Sequence, residues 1–126
     1  MVGIVIVSHS KKLAEGVVEL AKLIAGECPM VAAGGMDDGG FGTSYEKIEE
    51  AVNSVYSDDG VIVIMDMGSS CMTTEMVIES MEGRKVEMVD CPMVEGAIAA
   101  AAESEGGSAI EDVKRAAMEA AGEAKF

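Results

Sequence analysis

The sequence predicts an α/β domain of three layers, an open parallel sheet with helices on both faces. Three observations predict it. Four short apolar runs alternate with helical stretches along the chain. The runs are continuously apolar, as strands covered on both faces are, and do not alternate apolar with polar. The polar residues able to do chemistry fall just after the runs, at the edge where open α/β sheets place their sites. The 126 residues fit one domain, 1–126.

Val2 to Ser8 is the first strand, β-branched and unbroken. A helical stripe follows, with Leu13, Val17, Leu20 and Ile24 recurring at spacings of four, three and four, and Glu15, Glu19 and Lys22 on the other face. Gly26 stops that helix. Pro29 to Ala33 is a short second strand. The stretch Gly34-Gly35-Met36-Asp37-Asp38-Gly39-Gly40-Phe41-Gly42 is too rich in glycine to pack regularly and reads as a loop, of a length that is usually functional. Thr43 or Ser44 caps a second helix with Tyr45, Ile48, Val52 and Val55 as its stripe, and Thr43 with Glu46 has capping-box spacing. Asp58-Asp59-Gly60 turns the chain into the third strand, Val61 to Met65. A third helix is expected to carry Met72, Met76, Val77 and Met81 inward until Gly83 breaks it. Lys85 to Val89 is the fourth strand. Val94 to Ala102 is helical, with limits blurred by Gly96 and Gly106-Gly107. The last helix starts near Ser108 and shows Ile110, Val113, Ala117 and Ala120 on one face; no strand signal follows it.

Composition excludes several functions. The residues are 49% hydrophobic, enough for a packed core, but only 3% aromatic, so aliphatic residues and the 11 methionines must fill it. Nine basic against 23 acidic residues give a net charge of −14, which argues against nucleic acid and against anionic membranes and leaves a basic protein partner open. No run reaches the roughly 18 apolar residues of a bilayer span, and no signal peptide pattern opens the chain, so a cytoplasmic location is expected. Cys28, Cys71 and Cys91 show no CxxC spacing and read as buried or semi-buried thiols, neither a disulfide framework nor a metal site. There is no GxxxxGK[ST] and no dinucleotide glycine motif in place, so no bound cofactor is expected.

His9 is the one histidine in the chain. A lone histidine is most often an ordinary surface or core residue, but this one leaves a central strand and enters a helix start, where unpaired N–H groups and the helix dipole favour an anion. A nucleophilic imidazole needs a free lone pair and a partner that fixes its other nitrogen. Asp66, a carboxylate ending the neighbouring apolar strand, is the candidate partner; its plainer reading is a cap or turn. Ser10 follows His9, and Gly42-Thr43-Ser44 and Gly68-Ser69-Ser70 both precede helices, where backbone N–H groups and hydroxyls could hold phosphoryl oxygens; each taken alone is most often a cap.

The stretches Ile6-Val7-Ser8-His9-Ser10, Leu13 to Ala21, Ala32-Ala33-Gly34, Asp37-Asp38, Gly42-Thr43, Met65-Asp66-Met67-Gly68-Ser69 and Pro92 to Gly96 resemble, in order, the phosphotransfer subunit of phosphoenolpyruvate-dependent dihydroxyacetone kinase. The resemblance covers nearly the whole chain. It implies a mannose-type IIA domain of the phosphotransferase system, sheet order 2-1-3-4, forming a homodimer. It implies that the phosphocarrier HPr phosphorylates His9, oriented by Asp66, and that the phosphoryl group passes to ADP on the nucleotide-binding subunit of the kinase. Mannose-type transporter domains carry Asp-x-x-Gly-Gly-Ser-Pro after strand three; Asp66-Met67-Gly68-Ser69-Ser70 departs from it towards the dihydroxyacetone branch.

Two other readings stand beside this one. A IIA component of a sugar transporter would use the same histidine with a IIB partner. A non-catalytic regulatory module would bind through its acidic surface and leave His9 dispensable. A receiver domain would need an acidic cluster where Ser8-His9-Ser10 stands.

Overall fold

The computed structural model describes residues 1–126. Strands β1 (Gly3–Ser8), β2 (Met30–Gly34), β3 (Val61–Met65) and β4 (Val86–Val89) form one parallel sheet ordered β2-β1-β3-β4. Helices α1 (Lys11–Ile24), α2 (Tyr45–Val55) and α3 (Gly68–Ser80) connect them, and α4 (Met93–Glu105) and α5 (Ile110–Glu119) follow, closed by a 3-10 turn at Ala120–Gly122. This is the predicted three-layer α/β sandwich.

The strands' apolar runs supply both cores. Ile4, Ile6, Ile62 and Ile64 face one layer, packed by Ala14, Val17 and Ala21 of α1 together with α4 and α5. Val5, Val7, Val61 and Val63 face the other, against Ile48 and Val52 of α2 and Val77 of α3. Successive strand residues point to opposite faces, so a run apolar throughout is what a two-sided sheet requires.

Three expectations about helix faces change. On α1 only Val17 of the predicted stripe is buried; Leu13, Leu20 and Ile24 are exposed, and Ala14 and Ala21 take the core side with Val17. Close approach to the sheet favours small residues there, and the large residues keep helical spacing on another face. The backbone shows how close the approach is: a Cβ on Gly34, in β2, would lie 2.7 Å from the Ser10 carbonyl oxygen and 2.8 Å from Lys11 Cα. On α3, Met72 and Met76 are exposed, Met81 packs at the core's margin, and Ser70, Thr74 and Val77 are the buried positions. On α5, Ile110, Val113 and Ala117 are buried as expected, but Ala120 falls in the 3-10 turn and is half-buried. Gly96 is interior to α4 and does not break it; a Cβ there would meet Cys91 Sγ at 2.5 Å, so the close approach of Cys91 accounts for the glycine.

The cysteines are free thiols, Cys28 buried and Cys71 and Cys91 half-buried. Burial, with Asp90 adding repulsion, pushes the Cys91 thiol up to about 11, and burial raises Cys28 also, so both stay protonated at neutral pH. No helix is long and apolar enough to cross a membrane.

Candidate functional site

Strand register builds the site. Val7 of β1 pairs with Met65 of β3, so the next step along both strands sets Ser8 and His9 beside Asp66. The Ser8 hydroxyl, fully buried, donates to Asp66 Oδ2 at 2.8 Å and accepts the Ser10 N–H at 3.0 Å. The His9 backbone N–H donates to Asp66 Oδ2 at 3.0 Å, and the His9 carbonyl accepts the Gly42 N–H at 2.9 Å. The main chain at His9 is thereby held on both sides, by β3 and by the glycine loop.

The imidazole is held as well. His9 Nδ1 lies 3.0 Å from Asp66 Oδ1, with the two side chains 19% and 16% exposed. Asp66 Oδ1 also accepts the Met67 N–H at 2.8 Å and the Ser70 hydroxyl at 3.1 Å. Burial alone pushes the Asp66 carboxyl up; hydrogen bonds from Ser8, from the His9 backbone and ring, and from Ser70 outweigh it and bring it down to about 2. An ionised carboxylate only accepts, so the proton of the Nδ1 bond belongs to the ring and the neutral imidazole keeps its lone pair on Nε2. Nε2 is hydrogen-bonded to Ser69 Oγ, which must then be the donor.

The surroundings of Nε2 separate the two helix starts at this edge. Ser10 is the N-cap of α1, its hydroxyl accepting the Leu13 N–H at 3.2 Å. The N-cap of α3 is Met67, which has no side-chain acceptor to offer. The N–H groups of Gly68 and Ser69 lie in the first turn of α3, where the helix supplies no carbonyl partner. Ser10 thus satisfies one N–H of α1, and the start without a side-chain cap, whose Ser69 is bonded to the free ring nitrogen, is that of α3, one of the helix starts the sequence offers for phosphoryl oxygens.

The predicted residues divide accordingly. His9, Asp66, Ser69 and Ser70 are drawn together around the ring, with Gly68 opening α3 beside them. Ser10 is occupied as a cap. Gly42 gives its N–H to the His9 carbonyl. Thr43 Oγ1 meets Thr73 Oγ1 at 3.2 Å, tying the glycine loop to α3 and not to the ring. Ser44, nearly buried, is the N-cap of α2, accepting the Lys47 N–H at 3.3 Å; the capping role goes to Ser44 and not to a Thr43–Glu46 box. Sequence reasoning missed Ser8 as a support of Asp66 and Thr73 as the loop's anchor. The signal for Ser8 is a hydroxyl ending an otherwise apolar central strand; Thr73 lies one helical turn after Ser69 and donates to its carbonyl.

The glycine loop is ordered by its own bonds. Asp38 Oδ1 accepts the Gly40 N–H at 2.8 Å, Met36 and Gly40 are bonded through their backbones, and Lys47 Nζ reaches the carbonyls of Gly34 and Met36. Gly35, Gly39 and Gly42 have positive φ, which explains the need for glycine at these turns.

A doubly wound sheet with one histidine on its carboxyl edge, backed by a carboxylate from the next strand, defines the class. The family model for the PTS system fructose IIA component, EIIA-man, matches residues 3–114, and the chain belongs to that family. Its curated relatives are phosphotransfer subunits of dihydroxyacetone kinases. It is 41% identical over 101 residues to the phosphoryl donor subunit DhaM of PEP-dependent dihydroxyacetone kinase 1 from Listeria innocua, covering 80% of each chain. It is 42% identical over 127 residues to the corresponding DhaM of Escherichia coli, covering 95% of this chain and 27% of that longer protein. Thus the chain spans about a quarter of the length of the longer curated relatives it matches. The crystal structure of phosphotransferase system component EIIA from Streptococcus agalactiae shares the fold, with a TM-score of 0.74 at 17% identity over 100% of this chain and 98% of that one.

Proposed function

We propose that this chain is a phosphocarrier that accepts a phosphoryl group on Nε2 of His9 from HPr and passes it to ADP bound by the nucleotide-binding subunit of a dihydroxyacetone kinase. The observation that carries the reading is the Asp66–Nδ1 hydrogen bond, which leaves the Nε2 lone pair beside the uncapped start of α3. The DhaM relatives support the dihydroxyacetone branch over a sugar-transport role.

The chemistry follows from the tautomer. The Ser69 hydroxyl rotates off Nε2 as a donor's phosphohistidine approaches. The Nε2 lone pair attacks phosphorus as the donor's own P–N bond breaks, and the donor leaves as a neutral imidazole. The His9 ring now carries both the phosphoryl group and the Nδ1 proton, and so a positive charge that the Asp66 carboxylate faces at hydrogen-bond distance. The phosphoryl oxygens lie against the N–H groups of Gly68 and Ser69, with the Ser69 hydroxyl as a further donor. Attack by a terminal oxygen of ADP then breaks the new P–N bond and restores the resting tautomer. On this reading the carrier works as a cytoplasmic homodimer.

Incubation with phosphoenolpyruvate, enzyme I and HPr tests the reading. An acid-labile phosphoryl group appears on the wild-type chain and not on His9→Ala. Labelling of His9→Ala, or none on the wild type, refutes it.

A further inference from the structure

Asp66 accepts more hydrogen bonds than its placement requires. Oδ2 takes the His9 backbone N–H and the Ser8 hydroxyl; Oδ1 takes the Met67 N–H, the Ser70 hydroxyl and the Nδ1 proton of the ring. These five donors crowd a group with roughly four lone-pair sites. One backbone N–H on each oxygen already fixes where the carboxylate stands, from His9 at 3.0 Å and from Met67 at 2.8 Å. The two hydroxyls are surplus to that.

Their protons have nowhere else to go. Ser8 and Ser70 are both fully buried. The Ser8 oxygen accepts the Ser10 N–H at 3.0 Å, and its own proton meets Asp66 Oδ2 at 2.8 Å. The Ser70 oxygen lies 3.1 Å from Asp66 Oδ1 and 3.3 Å from His9 Nδ1. That ring nitrogen carries a proton already, so the Ser70 proton goes to the carboxylate.

Both hydroxyls draw on the charge that the ring needs. Donors on one carboxylate compete for its electron density, and each weakens the hold of the others. Burial pushes the Asp66 carboxyl up, and of the bonds that bring it down to about 2 the one from Ser8 comes first. A carboxylate with less affinity for a proton is also a weaker partner for a cation. At rest this matters little, because the ring is neutral. Once Nε2 carries the phosphoryl group the ring is positive, and Asp66 is its counter-charge. What Ser8 and Ser70 take from the carboxylate is therefore taken from the phosphorylated state. A carrier gains by this, since a phosphoryl group held too firmly does not move on.

We propose that Ser8 and Ser70 are positioning residues that act through Asp66 to set the phosphoryl-transfer potential of this carrier, each hydroxyl weakening the counter-charge of the phosphorylated His9 ring and so making the group easier to give up. The proposal deepens the functional reading above and rests on it for the phosphorylated ring.

Two measurements test it. In the first, HPr and this chain exchange the phosphoryl group to equilibrium, and phosphorus NMR counts the share on each. In the second, the chain is labelled on His9 with phosphoramidate, freed of reagent, and the half-life of its P–N bond is followed at neutral pH. There water attacks phosphorus, the electron pair of the P–N bond returns to Nε2 and the ring becomes neutral, so a stronger counter-charge slows the loss. Ser8→Ala and Ser70→Ala should each shift the equilibrium about threefold to tenfold towards this chain and lengthen the half-life by a similar factor. Ser8→Thr and Ser70→Thr keep the hydroxyl and should restore wild-type values. Far-ultraviolet circular dichroism checks that each variant is folded; if Ser8→Ala, which also orphans the Ser10 N–H, is not, Ser70→Ala decides. Hydroxyls that only brace the carboxylate would give the opposite sign. A shift away from this chain with a shorter half-life, or no change in either, overturns the proposal. A wild-type chain that HPr does not label overturns the donor of the functional reading, and the half-lives after phosphoramidate still decide this proposal. A chain that neither reagent labels on His9 overturns both.

Discussion

Helices α1 and α3 both begin on the carboxyl edge of the sheet, each separated from a central strand by two residues, yet they start differently. The start of α1 is the more closed: the Ser10 hydroxyl takes the Leu13 N–H, and Gly34 lets the helix lie directly on β2. The start of α3 is open: Met67 has no capping group, and Ser69 presents a hydroxyl to His9 Nε2. The histidine belongs to the closed helix by sequence and to the open one by chemistry. Chain position alone does not tell which helix dipole a group will use; the side chain that reaches the first N–H groups does.

Substitutions at the two starts should separate along that line. The largest effect belongs to Asp66, which serves the open side. Asp66→Asn removes the charge that faces the phosphorylated ring, and its phosphorylation by HPr, followed by rapid quench, should slow by about a thousandfold. Ser69→Ala removes one donor to the phosphoryl oxygens and should slow the same step about tenfold to a hundredfold. A slowing equal to that of Asp66→Asn would contradict the division of labour.

Acid should strip the open side's support before the closed side's. The Asp66 carboxyl sits at about 2 in the folded protein against roughly 3.9 in an unfolded chain. A depressed carboxyl stabilises the fold above the unfolded value, and that stability is lost as pH falls from about 4 towards 2; here it amounts to about 2 kcal/mol. Denaturant midpoints measured across that window should fall more steeply for the wild type than for Asp66→Asn. The smallest effect belongs to the closed helix: Ser10→Ala should lower stability by about 1 kcal/mol and leave the transfer rate unchanged, measured by the same denaturation and quench experiments.

The contrast also explains what could be read in the sequence. The strands were legible because a sheet covered on both sides needs residues like Val5, Ile6, Ile62 and Val63 in unbroken runs. His9 and Asp66 were legible because each ends such a run, where a polar group otherwise has no place. The helix faces were less so. Helix α1 carries two apolar rows, one small (Ala14, Val17, Ala21) and one large (Leu13, Leu20, Ile24), and period alone favours the large row although the sheet accepts only the small one. On α3 the inward residues include Ser70, whose hydroxyl is satisfied by a carboxylate 3.1 Å away, a partner from outside the helix that periodicity does not register. Among Ser10, Thr43, Ser44, Ser69 and Ser70, caps and ring partners share the same composition, and only the geometry sorts them.

Because His9 is the one histidine, a nitrogen-15 label on histidine reports on a single ring. Long-range proton–nitrogen spectra of the labelled protein, before and after phosphorylation by HPr, measure the tautomer and the site of attachment together. The account predicts a resting ring with its proton on Nδ1, and a phosphorylated ring with the phosphoryl group on Nε2 and that proton still in place. A resting proton on Nε2, or a phosphoryl group on Nδ1, would contradict it.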